Sequence, residues 1–131
     1  MEINIIDKQM KPTFSKSEIV NKGWGKEEIF SNNDKFCGKL LCFDKGKKMS
    51  THFHLKKSEQ FLCFSGLVMF YYFDLVTADK IEKMLHPGET VYIPAGCPHQ
   101  IEALVDSIII EVSTHDDPAD SYRVEKGNSQ L

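Results

Sequence analysis

Apolar and polar residues alternate over short stretches in the middle of the chain, and turn-forming residues punctuate them. Period-2 segments of roughly four to eight residues predict strands of an all-β sandwich or barrel. The first clear one is Phe36 to Phe43. Met49 to His54, Gln60 to Ser65 and Leu67 to Phe73 follow, with Gly66 at the turn between the last two. Beyond a polar turn at Thr77 to Lys80, the pattern predicts strands over Ile81 to Leu85, Thr90 to Ile93, His99 to Ala103 and Ser107 to Ser113. His86-Pro87-Gly88 and Pro94-Ala95-Gly96 interrupt the run, because Pro lacks a ladder donor and Gly loosens the backbone.

The flanks are less regular. Lys16 to Val20 fits a short helical turn, and Ile3, Ile5 and Ile6 offer an edge strand to the barrel or to a neighbouring subunit. A chain of 131 residues has room for one domain. Its core is expected over about 23–113, between a polar arm (1–22) and a polar tail (114–131). The last residues, Lys126-Gly127-Asn128-Ser129-Gln130-Leu131, are expected to fray.

Charge narrows the partners. The formal net charge is -3 and no basic block stands out, which argues against a nucleic-acid groove or an anionic membrane surface. Met1 to Lys11 lacks the apolar centre of a signal peptide or a spanning segment, so a cytoplasmic location is expected. Cys37, Cys42, Cys63 and Cys97 form no CxxC pair and are expected to be free, largely buried thiols. No Gly-rich phosphate loop is present, and nothing supports a Ser/His/Asp triad.

Four residues invite a metal. His52 and His54 stand two apart, so on a strand both side chains leave the same face, roughly 6 to 7 Å apart along it. Glu59 lies beyond the polar turn Leu55 to Ser58, at the head of the next strand, and His99 follows the tight Pro94-Ala95-Gly96 corner. Three neutral imidazoles and one carboxylate suit Mn, Fe, Co, Ni or Zn, and an octahedral ion so held keeps positions for water or substrate. Glu111 interrupts the apolar run Ile108 to Val112. Facing inward it is a candidate base with a raised pKa; facing outward it is a solvated side chain.

These residues sit inside two longer patterns. The first is Gly46, five residues, His52-Phe53-His54, four residues, Glu59, six residues, Gly66. The second is Gly88, five residues, Pro94-Ala95-Gly96, two residues, His99. Together they resemble the two motifs of the cupin superfamily, although Ala103 stands where the second motif ordinarily closes with Asn. The resemblance implies an all-β jelly-roll barrel, a double-stranded β-helix, holding one divalent transition metal through His52, His54, Glu59 and His99.

A further likeness runs from about Gly23 to Glu125. Trp24-Gly25, Glu28, Phe36, Lys39, Leu41 and Ser50, then Tyr92-Ile93, Glu111-Val112, Asp116-Asp117 and Arg123, resemble the type II mannose-6-phosphate isomerase domain. Those isomerases place two residues between the second His and the Glu. The four found here, Leu55-Lys56-Lys57-Ser58, look closer to D-lyxose isomerase-like cupins. The resemblance implies an isomerase or epimerase of a sugar or sugar phosphate, with Glu111 as base and Lys57, Lys39 and Arg123 as anion contacts; each lysine or arginine is otherwise a surface charge. Phe61 should line the pocket with Cys63 following it inward. Cupin lyases of this size commonly carry a Tyr base at the position of Phe61, which weakens a lyase reading. Cys97, two residues from His99, is read as structural. The rivals are an iron or manganese dioxygenase on a small organic substrate and a non-catalytic small-molecule-binding cupin. A homodimer is expected, since small barrels leave edges that pairing would cover.

Overall fold

The computed structural model describes residues 10–128, so the expected edge strand at Ile3, Ile5 and Ile6 lies outside the described residues. About half of the described chain is strand and almost none of it is helix. In chain order the strands are β1 (Glu18–Lys22), β2 (Gly25–Asn32), β3 (Cys37–Phe43), β4 (Thr51–Phe53) and β5 (Glu59–Ser65). They continue with β6 (Val68–Phe73), β7 (Lys80–Leu85), β8 (Thr90–Ile93), β9 (His99–Ala103), β10 (Ser107–Ser113) and β11 (Tyr122–Glu125), a single 3-10 turn (Pro118–Asp120) preceding the last. One sheet has the order β1-β2-β3-β10-β5-β8 and the other β11-β4-β9-β6-β7.

Alternation along the strands builds the space between the sheets. Leu41, Phe61 and Ile109 come from the larger sheet, Val68 and Ile101 from the smaller, and all five are at most 1% exposed. Burying each such side chain contributes roughly 1.5–3 kcal/mol. Trp24 stacks on Phe43 with ring centroids 4.3 Å apart and closes one end of this core. At the β5–β6 turn Gly66 has φ +89°, and a Cβ there would collide with the Asp106 carbonyl and Ser107, so only glycine fits. All four cysteines are free; Cys37 and Cys63 are buried, Cys42 and Cys97 half-buried.

Three expectations need correction. Lys16 to Val20 contains no helical turn: Glu18–Lys22 is a strand, paired antiparallel to β2 from Glu18↔Ile29 to Lys22↔Gly25. The strand expected over Met49 to His54 is regular only at Thr51–Phe53. The tail does not fray before Asn128, whose backbone N–H donates to the Lys48 carbonyl and whose side-chain oxygen accepts from Lys48 N, both at 2.8 Å; Ser129 to Leu131 lie outside the described residues. The tail also supplies β11, which pairs with β4 and so reaches the strand of His52.

Candidate metal centre

The strand ends gather the four expected ligands. His52 lies on β4 directly opposite His99 on β9, His54 ends the same extended stretch, and Glu59 opens β5. One ligand atom from each, all within 4.8 Å of one another, forms a common point. Glu59 and His99 are 3% and 1% exposed, so the cluster is shielded from bulk water.

Each imidazole is fixed by its other nitrogen. Nδ1 of His52 donates to the Ser50 carbonyl at 2.9 Å, that of His54 to the Asp120 carbonyl at 2.6 Å, and that of His99 to the Cys97 carbonyl at 2.9 Å. With the proton on Nδ1, Nε2 of a neutral ring presents a lone pair, the tautomer a metal-binding histidine needs. Burial, reinforced by His99, pushes His52 down to about 3, and burial likewise depresses His99. Both rings are therefore neutral near pH 7.

The donor set fits a cation. Glu59 Oε1 lies 2.9 Å from His54 Nε2 and 3.8 Å from His99 Nε2, yet Glu59 Oε1 and His99 Nε2 are buried with no hydrogen-bond partner. Converging acceptors of this kind are costly unless a positive charge joins them. A proton does part of that work: burial opposes it, but the Glu59 carboxylate holds His54 above its ordinary value. Burial also opposes ionisation of Glu59, which its histidine and lysine neighbours nevertheless bring down to about 2. A proton on His54 still leaves His99 Nε2 unpaired, whereas one ion meets all four. Imidazole and carboxylate ligands suit a divalent transition metal.

Beside the cluster lies a cavity of about 460 Å³, lined by all the ligands except His99 and by Phe61, Lys57, Glu111 and Arg123. Alternation on β10 sends Glu111 inward with Ile109, which settles its direction: it is 4% exposed. Its carboxylate accepts from Ser113 Oγ at 3.1 Å and pairs with Lys57 Nζ at 2.8 Å. Burial and then the Glu59 charge raise its pKa, against the pull of Lys57 and Lys39.

Lys57 is a buried hub rather than a solvated turn residue. Its ammonium is 2.8 Å from both Glu111 and Asp116 and 3.9 Å from Glu59. Lys39 is similarly held by Glu27 at 3.2 Å and Asp116 at 3.0 Å. Arg123 sits on β11 opposite His52, exposed at the cavity wall. Phe61 meets His99 edge-on at 5.9 Å, and Cys63 follows it into the core. Cys97 packs against the core and lies outside the ligand cluster. Phe70, Tyr72 and Phe73 of β6 line a separate cavity of about 540 Å³.

Asp120 is the functional residue that reading the sequence missed. Besides its carbonyl bond to His54, its carboxylate accepts backbone N–H groups of Leu55, Lys56 and Lys57 at 2.9, 3.1 and 3.1 Å. That one side chain holds the loop between two ligands. The only signal was a Pro118 after two acidic residues, which marks a capped turn but not its target.

A two-sheet antiparallel barrel with a His/His/Glu/His cluster between its sheets defines the protein as a cupin. Residues 9–125 match the family described as mannose-6-phosphate isomerase C-terminal, and the chain belongs to that family. It is 32% identical over 78 residues to a mannose-1-phosphate guanylyltransferase of Sinorhizobium fredii, covering 60% of this chain and 14% of that protein. Mannose-1-phosphate guanylyltransferase 2 of Escherichia coli O157:H7 is 23% identical over 116 residues, 87% of this chain and 23% of the other. The chain thus spans less than a quarter of the length of these curated relatives. Among solved structures, the capsular polysaccharide assembling protein CapF from Staphylococcus aureus superposes with a TM-score of 0.72 at 24% identity, covering 86% of this chain and 33% of that one, a likeness of fold. No helix among the described residues is long and apolar enough to cross a membrane.

Proposed function

We propose that this cupin is a metal-dependent isomerase or epimerase of a small sugar or sugar phosphate. The observation that carries the reading is Glu111: a buried carboxylate opening onto the same cavity as the ligands, held by one lysine that also approaches Glu59. His52, His54, Glu59 and His99 would hold the ion, one of Mn, Fe, Co, Ni or Zn. When bound, it supplies a Lewis acid for the carbonyl and hydroxyl oxygens of the sugar.

The side chains supply the rest. Moving a carbonyl between adjacent carbons requires one carbon to lose a proton and its neighbour to gain one, while a hydroxyl proton passes between the two oxygens. Glu111 takes the first proton and returns it, a task suited to a carboxylate whose pKa burial has raised. Lys57 fixes the orientation of Glu111 rather than binding a substrate anion, since carboxylates already surround it. Arg123, exposed at the wall, is placed to meet a phosphate on the substrate. Phe61 covers the inner side of the site against water.

The charged side chains at the cavity wall, Glu111, Asp116 and Arg123 among them, support a hydroxyl-rich ligand. The family and the relatives named for mannose phosphates support the same substrate class. The test is hydrogen exchange in heavy water. Protein loaded with each of the five metals is incubated with aldoses, ketoses and their phosphates, and proton NMR follows deuterium entering at carbon. Exchange in at least one sugar is expected, and Glu111→Gln should slow it about 10²- to 10⁴-fold with metal content unchanged. If no sugar is exchanged or converted to its isomer with any metal, the isomerase reading is wrong; oxygen uptake by the iron form would favour the dioxygenase instead.

A further inference from the structure

The second cavity, of about 540 Å³, opens where the two sheets part. β8 ends the larger sheet and β7 the smaller, and the two strands are not paired with each other. The gap between these edges is a seam in the barrel, on the far side of His99 from the metal cavity. Phe61, which lines the metal cavity, meets His99 at 5.9 Å. Phe70, which lines the seam, lies over the same imidazole at 6.2 Å, the rings inclined by 14°. These three rings stand between the two cavities.

The seam is built like the core except at one position. Residues opposite each other on an antiparallel ladder share a face, so Lys83 of β7, the partner of buried Phe70, faces inward. Its neighbours on that face, Ile81 and Leu85, are apolar. Tyr72, Val91 and Cys97 also pack against the core here. Lys83 stays exposed because the cavity, not protein, lies over it. Among the described residues it makes no ion pair; the carboxylate it does influence, Glu89, is taken up by His86 at 2.7 and 2.8 Å.

An inward lysine on an edge strand also discourages pairing with another sheet. That role needs no cavity, whereas this lysine stands beside one of the size that takes small organic molecules, roughly 300–1,000 Å³. Lining and charge select the ligand. Phe70, Tyr72, Phe73 and Tyr92 offer ring faces and edges against which a flat ring packs. Lys83 is the one charged residue of the lining, so a single negative charge is matched and a second, as on a phosphate, is not.

We propose that the seam is a second small-molecule site, which takes a small aromatic monocarboxylate: the ring enters among Phe70, Tyr72 and Phe73, and the carboxylate stays at the rim with Lys83. The site does not rest on the isomerase reading. Its wall nevertheless supports the metal centre, because the corner at residues 94–97 lines it. From that corner Gly96 N–H donates to the His54 carbonyl at 2.6 Å, and the Cys97 carbonyl accepts from His99 Nδ1 at 2.9 Å. An occupant therefore rests against the supports of two ligands.

The experiment is two-dimensional amide NMR of the full chain, titrated to millimolar concentration with 3-phenylpropionate, 3-phenylpropionamide and acetate. Saturable shifts of the Phe70, Lys83, Val91 and Cys97 amides are expected with 3-phenylpropionate, and none there with acetate. The amide, which lacks the charge, should bind about two- to fivefold more weakly. Lys83→Met, at an exposed position, should weaken 3-phenylpropionate by the same factor and leave 3-phenylpropionamide unchanged. Shifts confined to His52, His54 and Glu59 overturn the proposal, since the carboxylate then seeks the metal cavity. Equal affinity for acid and amide, or for wild type and Lys83→Met, overturns it too. Binding that appears only after residues 1–9 are deleted also overturns it, giving the seam to the chain's own N-terminal segment.

Discussion

His54 donates its Nδ1 proton to the main-chain carbonyl of Asp120 at 2.6 Å, across 66 residues of sequence. The same aspartate ties down the backbone of Leu55, Lys56 and Lys57, so the tail after β10 sets both the ring of one ligand and the loop that delivers the next, Glu59. Groups of this kind that orient metal ligands typically change metal affinity about 10- to 100-fold when removed. Asp120→Ala keeps the carbonyl that orients His54 but frees the loop that delivers Glu59, so it should weaken metal binding by up to that factor and alter the visible spectrum of the cobalt form. Asp120→Asn, which keeps an acceptor oxygen for the loop, should restore most of the affinity. Calorimetric titration of the three proteins checks it; equal affinities would make the tail irrelevant to the site.

Lys57 neutralises three carboxylates from inside the barrel, with its side chain 3% exposed. Replacing one partner of a buried charged network leaves the others uncompensated, which costs about 3–5 kcal/mol. Lys57→Met should therefore lower stability in urea by that amount at neutral pH. Adding Glu111→Gln to Lys57→Met should recover part of the loss, because one stranded charge disappears.

Asp116 gives the fold a dependence on acid. Burial disfavours its ionisation, but Lys57 and Lys39 bring the carboxyl down to about 2 from an ordinary 3.8. A depressed pKa contributes stability that is full above the unfolded value and is lost as pH falls through the folded one. Compared with Asp116→Asn, wild type should be more stable at pH 7 by about 1–2 kcal/mol, screening of a partly exposed group allowed for. The gap should close between about pH 4 and pH 2. Urea midpoints at several pH values measure it; a gap that persists at pH 2 would contradict the assignment.

How far the sequence was legible depended on where each residue finds its partner. Thr90–Ile93 and His99–Ala103 are legible to the residue because Pro and Gly corners flank them, and Ser107–Ser113 because a serine closes its apolar run at each end. The four candidate ligands were readable because strand period and turn spacing put His52, His54 and Glu59 near one spot, and the resemblance to the two cupin motifs adds His99. Strands β1 and β2 were not, since Glu18, Glu27 and Glu28 are poor strand formers by composition. Glu27 faces inward only because Lys39 and Lys22 meet it there, a pairing visible in three dimensions alone. The direction of Glu111 and the burial of Lys57 were undecidable for the same reason, each being the other's counter-charge. Asp120 acts on main-chain N–H groups, which carry no residue-specific mark in a sequence.

Gly66 offers a check on the fold itself. Its φ of +89° and its closeness to Asp106 and Ser107 leave no space for a methyl group. Gly66→Ala should cost at least about 1 kcal/mol, read as a lower melting temperature, while Gly88→Ala, where nothing lies within 4 Å, should cost less.

The centre of the account is that buried Nε2 lone pairs and the Glu59 carboxylate meet around a cation. Elemental analysis of the purified chain, alongside His99→Ala, tests it most directly. One equivalent of a divalent transition metal per chain in the wild type, and a clear loss of it in the variant, is the expected result. A wild-type protein that holds no such metal even after incubation with Mn, Fe, Co, Ni and Zn would contradict it.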